Sequence, residues 1–147
     1  MNFIVRAKDI VRFSIITICC FVLADAQAEP FVGKVVGIAD GDTLTVLTAS
    51  KQQHKIRLAE IDAPEKNQPF GSKSKQSLSD LWFGKEAEVI PRAVDRYKRT
   101  VARVRCAGVD ANLEQVNCGM AWVYRKYAKD DDLYVLELTL FRGHLIF

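Results

Sequence analysis

The chain has 147 residues, 21 Lys+Arg against 18 Asp+Glu, a formal charge of +3 and 49% hydrophobic residues, the proportions of one ordinary folded domain. Charged residues make up 27%, aromatics 10%, and there are only 8 Gly and 4 Pro, which excludes a disordered tail and a collagen-like or linker-rich chain. The mild basic excess permits an anionic partner such as nucleic acid without requiring one.

Arg6, Lys8 and Arg12 precede an apolar stretch over residues 13–23, followed by Ala26-Gln27-Ala28. The stretch is about half of the roughly 20 residues that a membrane span needs, and Ala-x-Ala is the pattern after which signal peptidase cuts. Residues 1–28 therefore read as a signal peptide, with Glu29 as the mature start and export to a periplasm or the medium, free of stable membrane association. Thr17 and Ile18 lack the small-residue pattern expected ahead of a lipidated cysteine at Cys19 or Cys20. Residues 1–28 carry three basic and two acidic side chains, so 18 basic and 16 acidic residues remain, a charge of about +2. The only cysteines left are Cys106 and Cys118. In an oxidising compartment they can close a disulfide, or they stand apart as two small hydrophobes. No Cys-x-x-Cys or Cys/His cluster offers a structural zinc site.

Residues 31–39 are rich in Val and Ile, Asp40-Gly41 marks a hairpin turn, and residues 43–47 alternate, with Leu44 and Val46 on one face. After a polar turn, residues 55–58 alternate again and give a third strand, which ends near Ile61-Asp62-Ala63-Pro64. These three strands form a meander. Residues 69–72 lead into a helix to about residue 83, with Leu78, Leu81 and Trp82 on one face and Gly84 at its C-terminal end. Strands over 86–91 and 100–106 follow, then a short helix capped by Asn112 and ended by Gly119. Asp130 to Asp132 introduce a final helix with a stripe of Leu133, Leu136 and Leu140. Five short strands, three helices and no repeated βαβ unit give an α+β fold around a small barrel.

Four carboxylates gather at strand ends, Asp40 and Asp42 around the first turn and Asp62 and Glu65 around the proline that ends the third strand. Converging carboxylates on loops held by a sheet supply the hard oxygen ligands of Ca²⁺ or Mg²⁺; Asp-Gly is also a turn former in its own right. An EF-hand is excluded, because counting from Asp40 puts Thr45 where its glycine belongs and Lys51 where its bidentate Glu belongs. Arg57 is five residues before Asp62, so in a regular strand the two would face opposite ways. For both to line one site a turn or bulge must intervene, which residues 61–64 could supply. Asp95-Arg96-Tyr97-Lys98-Arg99 is a basic loop holding an aromatic, suited to phosphate and a stacked base, and equally readable as a solvated charged hairpin.

Taken in order, Val36-Gly37-Ile38-Ala39-Asp40-Gly41-Asp42-Thr43, Ile56-Arg57-Leu58-Ala59-Glu60-Ile61-Asp62-Ala63-Pro64-Glu65, Asp95-Arg96-Tyr97-Lys98-Arg99, and Asn112 with Gly119-Met120-Ala121-Trp122-Val123-Tyr124-Arg125-Lys126-Tyr127 resemble the thermonuclease, or micrococcal-nuclease-like, family over residues 31 to about 137. The resemblance implies a five-stranded OB-fold barrel with three helices, and Ca²⁺-dependent hydrolysis of phosphodiesters in DNA and RNA, single strands preferred, leaving 3′-phosphate ends. By position it makes Asp42, Asp62 and the Ala63 carbonyl the metal ligands, with Asp40 behind them. Glu65 becomes the base, Arg57 and Arg99 the catalytic guanidinium groups, and Tyr97 and Tyr127 the tyrosines around the nucleotide. His54 and His144 fall outside these motifs, in keeping with oxygen ligation. A monomer is expected.

Two departures stand out. Lys98 occupies a place where similar proteins often carry a small turn residue. The family usually continues its last helix with charged residues and closes on Gly-Leu-Trp, whereas residues 138–147 are apolar and lack tryptophan; an exposed apolar end favours association or a partner surface. The competing reading is a noncatalytic OB-fold module that only binds nucleic acid or protein; a carboxylate at 65 beside two arginines speaks against it.

Overall fold

The computed structural model describes residues 28–128 and 131–144, with side chains as far as Leu140. The basic start and apolar run of the expected signal peptide, Asp130 and the last three residues lie outside this range. Among the described residues eight strands and three helices follow in the order β1 (Phe31–Ile38), β2 (Thr43–Thr48), β3 (Gln53–Leu58), β4 (Ile61–Asp62), α1 (Gly71–Trp82), β5 (Glu86–Val94), β6 (Thr100–Cys106), β7 (Val109–Asp110), α2 (Ala111–Asn117), β8 (Trp122–Val123) and α3 (Asp131–His144).

The meander forms as its alternation requires: β1 pairs with β2 and β2 with β3, both antiparallel. On its other edge β1 pairs with β5, and β5 with β6. The ring closes where β3 and β6 run parallel, Ile56 opposite Thr100 and Leu58 opposite Ala102. This is a closed five-stranded barrel with three helices, an α+β OB-fold. Val35, Leu44, Val46, Ile56, Leu58, Val89, Ala102 and Val104 are at most 1% exposed. At about 1.5–3 kcal/mol for each fully buried Val, Leu or Ile, this apolar centre is the main stabiliser of the scaffold. Helix α1 closes it with Leu78 and Trp82, and Gly84, at φ 79°, turns its end so that the Gly84 N–H donates to the Val35 carbonyl at 2.8 Å.

Three boundaries differ from the sequence reading, each for a local reason. Strand β5 runs on past Pro91, because a bulge between Pro91 and Ala93 accommodates a residue without an N–H. Ala107 and Gly108, both at positive φ, make a hairpin that adds β7. Helix α2 is capped by Asp110, whose carboxylate accepts from the Asn112 and Leu113 N–H groups, and not by Asn112. The Asn112 side chain is instead fully buried, accepting from the Val104 N–H and donating to the Ala59 carbonyl at 2.7 Å.

Of the two alternatives for the cysteines the structure has them apart: both thiols are free, Cys106 buried in the barrel and Cys118 exposed at the end of α2. Cys118 turns to Glu114, its Sγ 3.5 Å from a carboxylate oxygen, and burial pushes the Cys106 thiol up to about 11. Among the described residues no helix is long and apolar enough to cross a membrane.

Candidate active site

The carboxylates that the sequence scatters over two loops meet through one arginine. The first loop, residues 39–42, joins β1 to β2 and is closed by the Ala39 N–H donating to the Thr43 carbonyl at 2.9 Å. Gly41 is a contact point there: a Cβ on it would overlap the Ser74 side chain of α1 and lie 2.9 Å from the Ala63 Cβ. The close approach that glycine allows lets α1 press the loop onto the barrel. Asp42 is consequently 6% exposed, and its carboxylate accepts from the Thr43 hydroxyl at 3.0 Å and the Ala63 N–H at 3.0 Å. Asp40 lies behind it, taking the Asp42 N–H on Oδ1 at 3.2 Å.

The turn that brings Arg57 and Asp62 to one side is at Ala59-Glu60, earlier than residues 61–64. Glu60 sits at φ 65°, and the reversal lets Arg57 Nη1 donate to the Leu58 and Ile61 carbonyls, both at 2.8 Å. Arg57 Nη2 then lies 2.8 Å from Asp62 Oδ1 and 3.1 Å from Asp42 Oδ2. The turn is pinned from several directions. Ala59 donates to the Ala102 carbonyl, Tyr124 donates to the Glu60 carbonyl, and the Glu60 carboxylate pairs with Arg103 Nε at 2.8 Å. Arg103 is 6% exposed and pairs also with Asp110 at 2.8 Å, so a buried ionic bridge joins this turn to the cap of α2.

Arg99 enters from the β5–β6 loop. Lys98 takes the left-handed conformation at φ 62°, the geometry that a small turn residue would adopt more easily, and the loop still presents Arg99. Asp95 accepts from the backbone N–H of Tyr97 and of Arg99 at 2.9 Å each and from Arg99 Nε at 2.7 Å. Burial pushes the Asp95 carboxyl up, but these bonds from Arg99 and Tyr97 outweigh it and hold the group below the usual carboxylate range. Arg99 Nη1 reaches the Thr43 hydroxyl at 3.3 Å, and that hydroxyl is bonded to Asp42. Tyr97 is 64% exposed, with Arg96 4.7 Å and Arg99 5.4 Å from its ring centre.

Glu65 stands apart. Its carboxylate is exposed and has no partner among the described residues, while its backbone is fixed: the Glu65 N–H donates to Gln68 Oε1 and the Gln68 N–H returns to the Glu65 carbonyl, both at 2.8 Å. A Cβ on Gly71 would overlap that carbonyl. Tyr127 is exposed and packs edge-on to Tyr124 at 5.0 Å; among the described residues nothing joins it to the carboxylates.

Among the described residues no three His, Cys, Asp or Glu side chains form a metal cage. The oxygen set is two carboxylates, Asp42 and Asp62, with the backbone of Ala63 held against Asp42. Such hard donors suit a divalent cation that takes its remaining ligands from water and phosphate. The charge balance agrees, because burial pushes the Asp42 carboxyl up to about 7, Arg57 pulling it down and Asp40 pushing it further up; a bound cation relieves that penalty.

A family model described as staphylococcal nuclease homologue matches residues 55–139, which include Arg57, Asp62, Glu65 and Arg99. The chain belongs to the staphylococcal nuclease family. It is 50% identical over 109 residues to an uncharacterized endonuclease of Haemophilus influenzae, covering 74% of this chain and 61% of that protein. It is 44% identical over 116 residues to the micrococcal nuclease of Shigella flexneri, covering 73% and 66%, and 38% identical over 115 residues to protein ParB of Escherichia coli, covering 72% and 64%. The chain thus spans a little under two thirds of the length of these curated relatives.

Within this staphylococcal nuclease domain the sequence reading missed two kinds of residue. Trp122, 45% exposed, is the strand partner of Asp62 across the β4–β8 pair; a bulky aromatic alternating with buried Val123 was the available signal. Gln115 is fully buried in α2, donates to the Gly41 carbonyl at 2.7 Å and accepts from Ser77. A glutamine one turn after Ala111, on the face that the helix buries, marks a polar group with a specific partner.

Proposed function

We propose that the chain is an exported, Ca²⁺-dependent endonuclease that hydrolyses phosphodiesters of DNA and RNA with little sequence specificity. It prefers single strands, leaves 3′-phosphate ends, and acts as a monomer released from its signal peptide after Ala28. The observation that carries the reading is the convergence of Asp42 and Asp62 on Arg57 Nη2, at 3.1 and 2.8 Å, with Arg99 joined to Asp42 through the Thr43 hydroxyl.

Asp42, Asp62 and the Ala63 carbonyl would hold the ion. When bound, it supplies Lewis-acid polarisation of the phosphoryl oxygen. Glu65, exposed and unpaired, orients a water and takes its proton onto a carboxylate oxygen as that water attacks phosphorus in line; the P–O5′ bond opposite breaks, and the departing 5′-oxygen takes a proton from solvent. Arg57 and Arg99 meet the charge that grows on the equatorial oxygens, and fixed, permanently charged guanidinium groups do this without reorganising. Their anchors, the Leu58 and Ile61 carbonyls for Arg57 and Asp95 for Arg99, fix each group before substrate arrives. Exposed Tyr97, Trp122 and Tyr127 offer faces on which a base can stack.

The test is hydrolysis of single-stranded DNA and RNA by the purified protein with Ca²⁺ or with chelator, beside Glu65→Gln, with circular dichroism confirming the fold of both. Calcium-dependent cutting that falls by roughly 10²- to 10⁴-fold in the variant is expected. A folded wild-type protein that binds DNA and cuts nothing overturns the enzyme reading in favour of a binding module.

A further inference from the structure

The turn that carries Glu65 also carries an aromatic that its own backbone disfavours. Phe70 precedes the first residue of α1 at φ 64° and ψ −6°, the left-handed region that a side chain with a Cβ adopts only at a cost and that Gly or Asn adopts more cheaply. Nor does Phe70 serve the helix it precedes, since no side chain caps α1 there. Nor does it serve the core: Phe70 is 67% exposed. Local physics gives no reason for a phenylalanine at this position.

Its surroundings supply one. Lys73 Nζ lies 5.4 Å from the ring centre, and both Lys73 and Lys66 are exposed. The turn is rigid, because Gln68 is bonded to the Glu65 backbone in both directions, the Gly71 N–H donates to the Gln68 carbonyl at 3.0 Å and the Ser74 N–H donates to the Phe70 carbonyl at 2.8 Å. Ser74 in turn abuts Gly41, between Asp40 and Asp42. An exposed ring with a cation beside it, held on the loop of the candidate base, is the combination that grips single-stranded nucleic acid, the ring taking a base and the lysine the neighbouring phosphate. Tyr97 with Arg96 forms a similar pair on another element, the β5–β6 loop.

We infer that Phe70, with Lys73, forms a base-stacking subsite for a nucleotide next to the cleaved phosphodiester, separate from the one at Tyr97. The inference rests on the proposed nuclease reading for its substrate class and for the place of the cleaved bond, not for the stacking itself. It predicts an unusual pairing of effects: Phe70→Gly leaves the protein as stable as before or more so, because the left-handed conformation is relieved, while binding of single strands weakens.

The experiment measures fluorescence anisotropy of a labelled single-stranded DNA octamer in chelator, so that binding is read without cleavage, for the wild type, Phe70→Gly and Phe70→Trp, beside their melting temperatures. A panel of octamers, each with one abasic nucleotide, locates the subsite. We expect Phe70→Gly to raise the dissociation constant roughly tenfold without lowering the melting temperature, and Phe70→Trp to bind at least as tightly as the wild type. One abasic position should weaken the wild type and leave Phe70→Gly unaffected. Equal affinity of wild type and Phe70→Gly overturns the subsite, as does an abasic profile that the substitution leaves unchanged. Hydrolysis with Ca²⁺ is followed separately: a wild type that binds through Phe70 but cuts nothing contradicts the nuclease reading and leaves the subsite standing.

Discussion

In the loop of residues 39–42 the Asp42 carboxylate is 6% exposed and engaged by Thr43, Ala63 and Arg57, whereas on the loop after β4 the Glu65 carboxylate stands in solvent with only its backbone tied down. The first arrangement suits a group that must hold a cation in one place, and it carries a desolvation penalty. The second suits a group that must meet water and exchange a proton, and it depends on the geometry of its turn alone. Damage to the two sides should therefore be felt differently, as lost stability on the buried side and as lost rate on the exposed one.

The largest effect is expected behind the buried side. Arg103→Met leaves Glu60 and Asp110 without the guanidinium that joins them, and such a loss costs about 3–5 kcal/mol; urea unfolding measures it, and a change below 1 kcal/mol would show that the bridge does not secure the Arg57 turn. Gly41→Ala comes next. The new methyl overlaps Ser74, and overpacking of this kind costs about 1–3 kcal/mol, with weaker Ca²⁺ binding by calorimetry. On the exposed side Gln68→Ala removes the side chain that accepts the Glu65 N–H at 2.8 Å, so kcat should fall by an order of magnitude or more with cation affinity retained. Equal losses of stability and rate in Gly41→Ala and Gln68→Ala would erase the contrast between the loops.

The barrel strands were legible because alternation is strict where one face is buried, as at Leu44 and Val46 or Ile56 and Leu58. The carboxylates and arginines of the site were legible because their residue types cluster at strand ends. What holds them was not. The reversal at Glu60 depends on a left-handed residue that carries no glycine to announce it, and Arg103 reads as one more charge on an alternating strand until Glu60 and Asp110 are brought beside it. Asn112 read as a cap because it precedes a helix; only the closed barrel places the Val104 N–H and the Ala59 carbonyl where its amide can serve both. Short strands β4 and β8 pair over two residues each, too few for a pattern.

The smallest effect is a pH dependence that separates the loops again. Burial pushes the Asp42 carboxyl up to about 7 against about 3.9 for an unperturbed Asp, so between these values the folded protein binds a proton that the unfolded chain has released. Its contribution is complete below pH 4 and is lost as pH rises through about 7. Asp95, held below its ordinary range, acts in the opposite sense, its stabilisation being lost as pH falls below about 4. In chelator the melting temperature should decline from pH 5 to pH 8, and Asp42→Asn should flatten that decline, with a gain on the order of 1 kcal/mol at pH 8; calorimetry over this range checks it.

The most direct measurement pairs Ca²⁺ titration calorimetry with single-stranded DNA hydrolysis for Asp42→Asn and Glu65→Gln. Asp42→Asn should lose both cation binding and cleavage, while Glu65→Gln should bind Ca²⁺ as the wild type does and lose cleavage by roughly a hundredfold or more. Full Ca²⁺ affinity in Asp42→Asn, or undiminished cleavage in Glu65→Gln, would contradict the division of labour between the two loops.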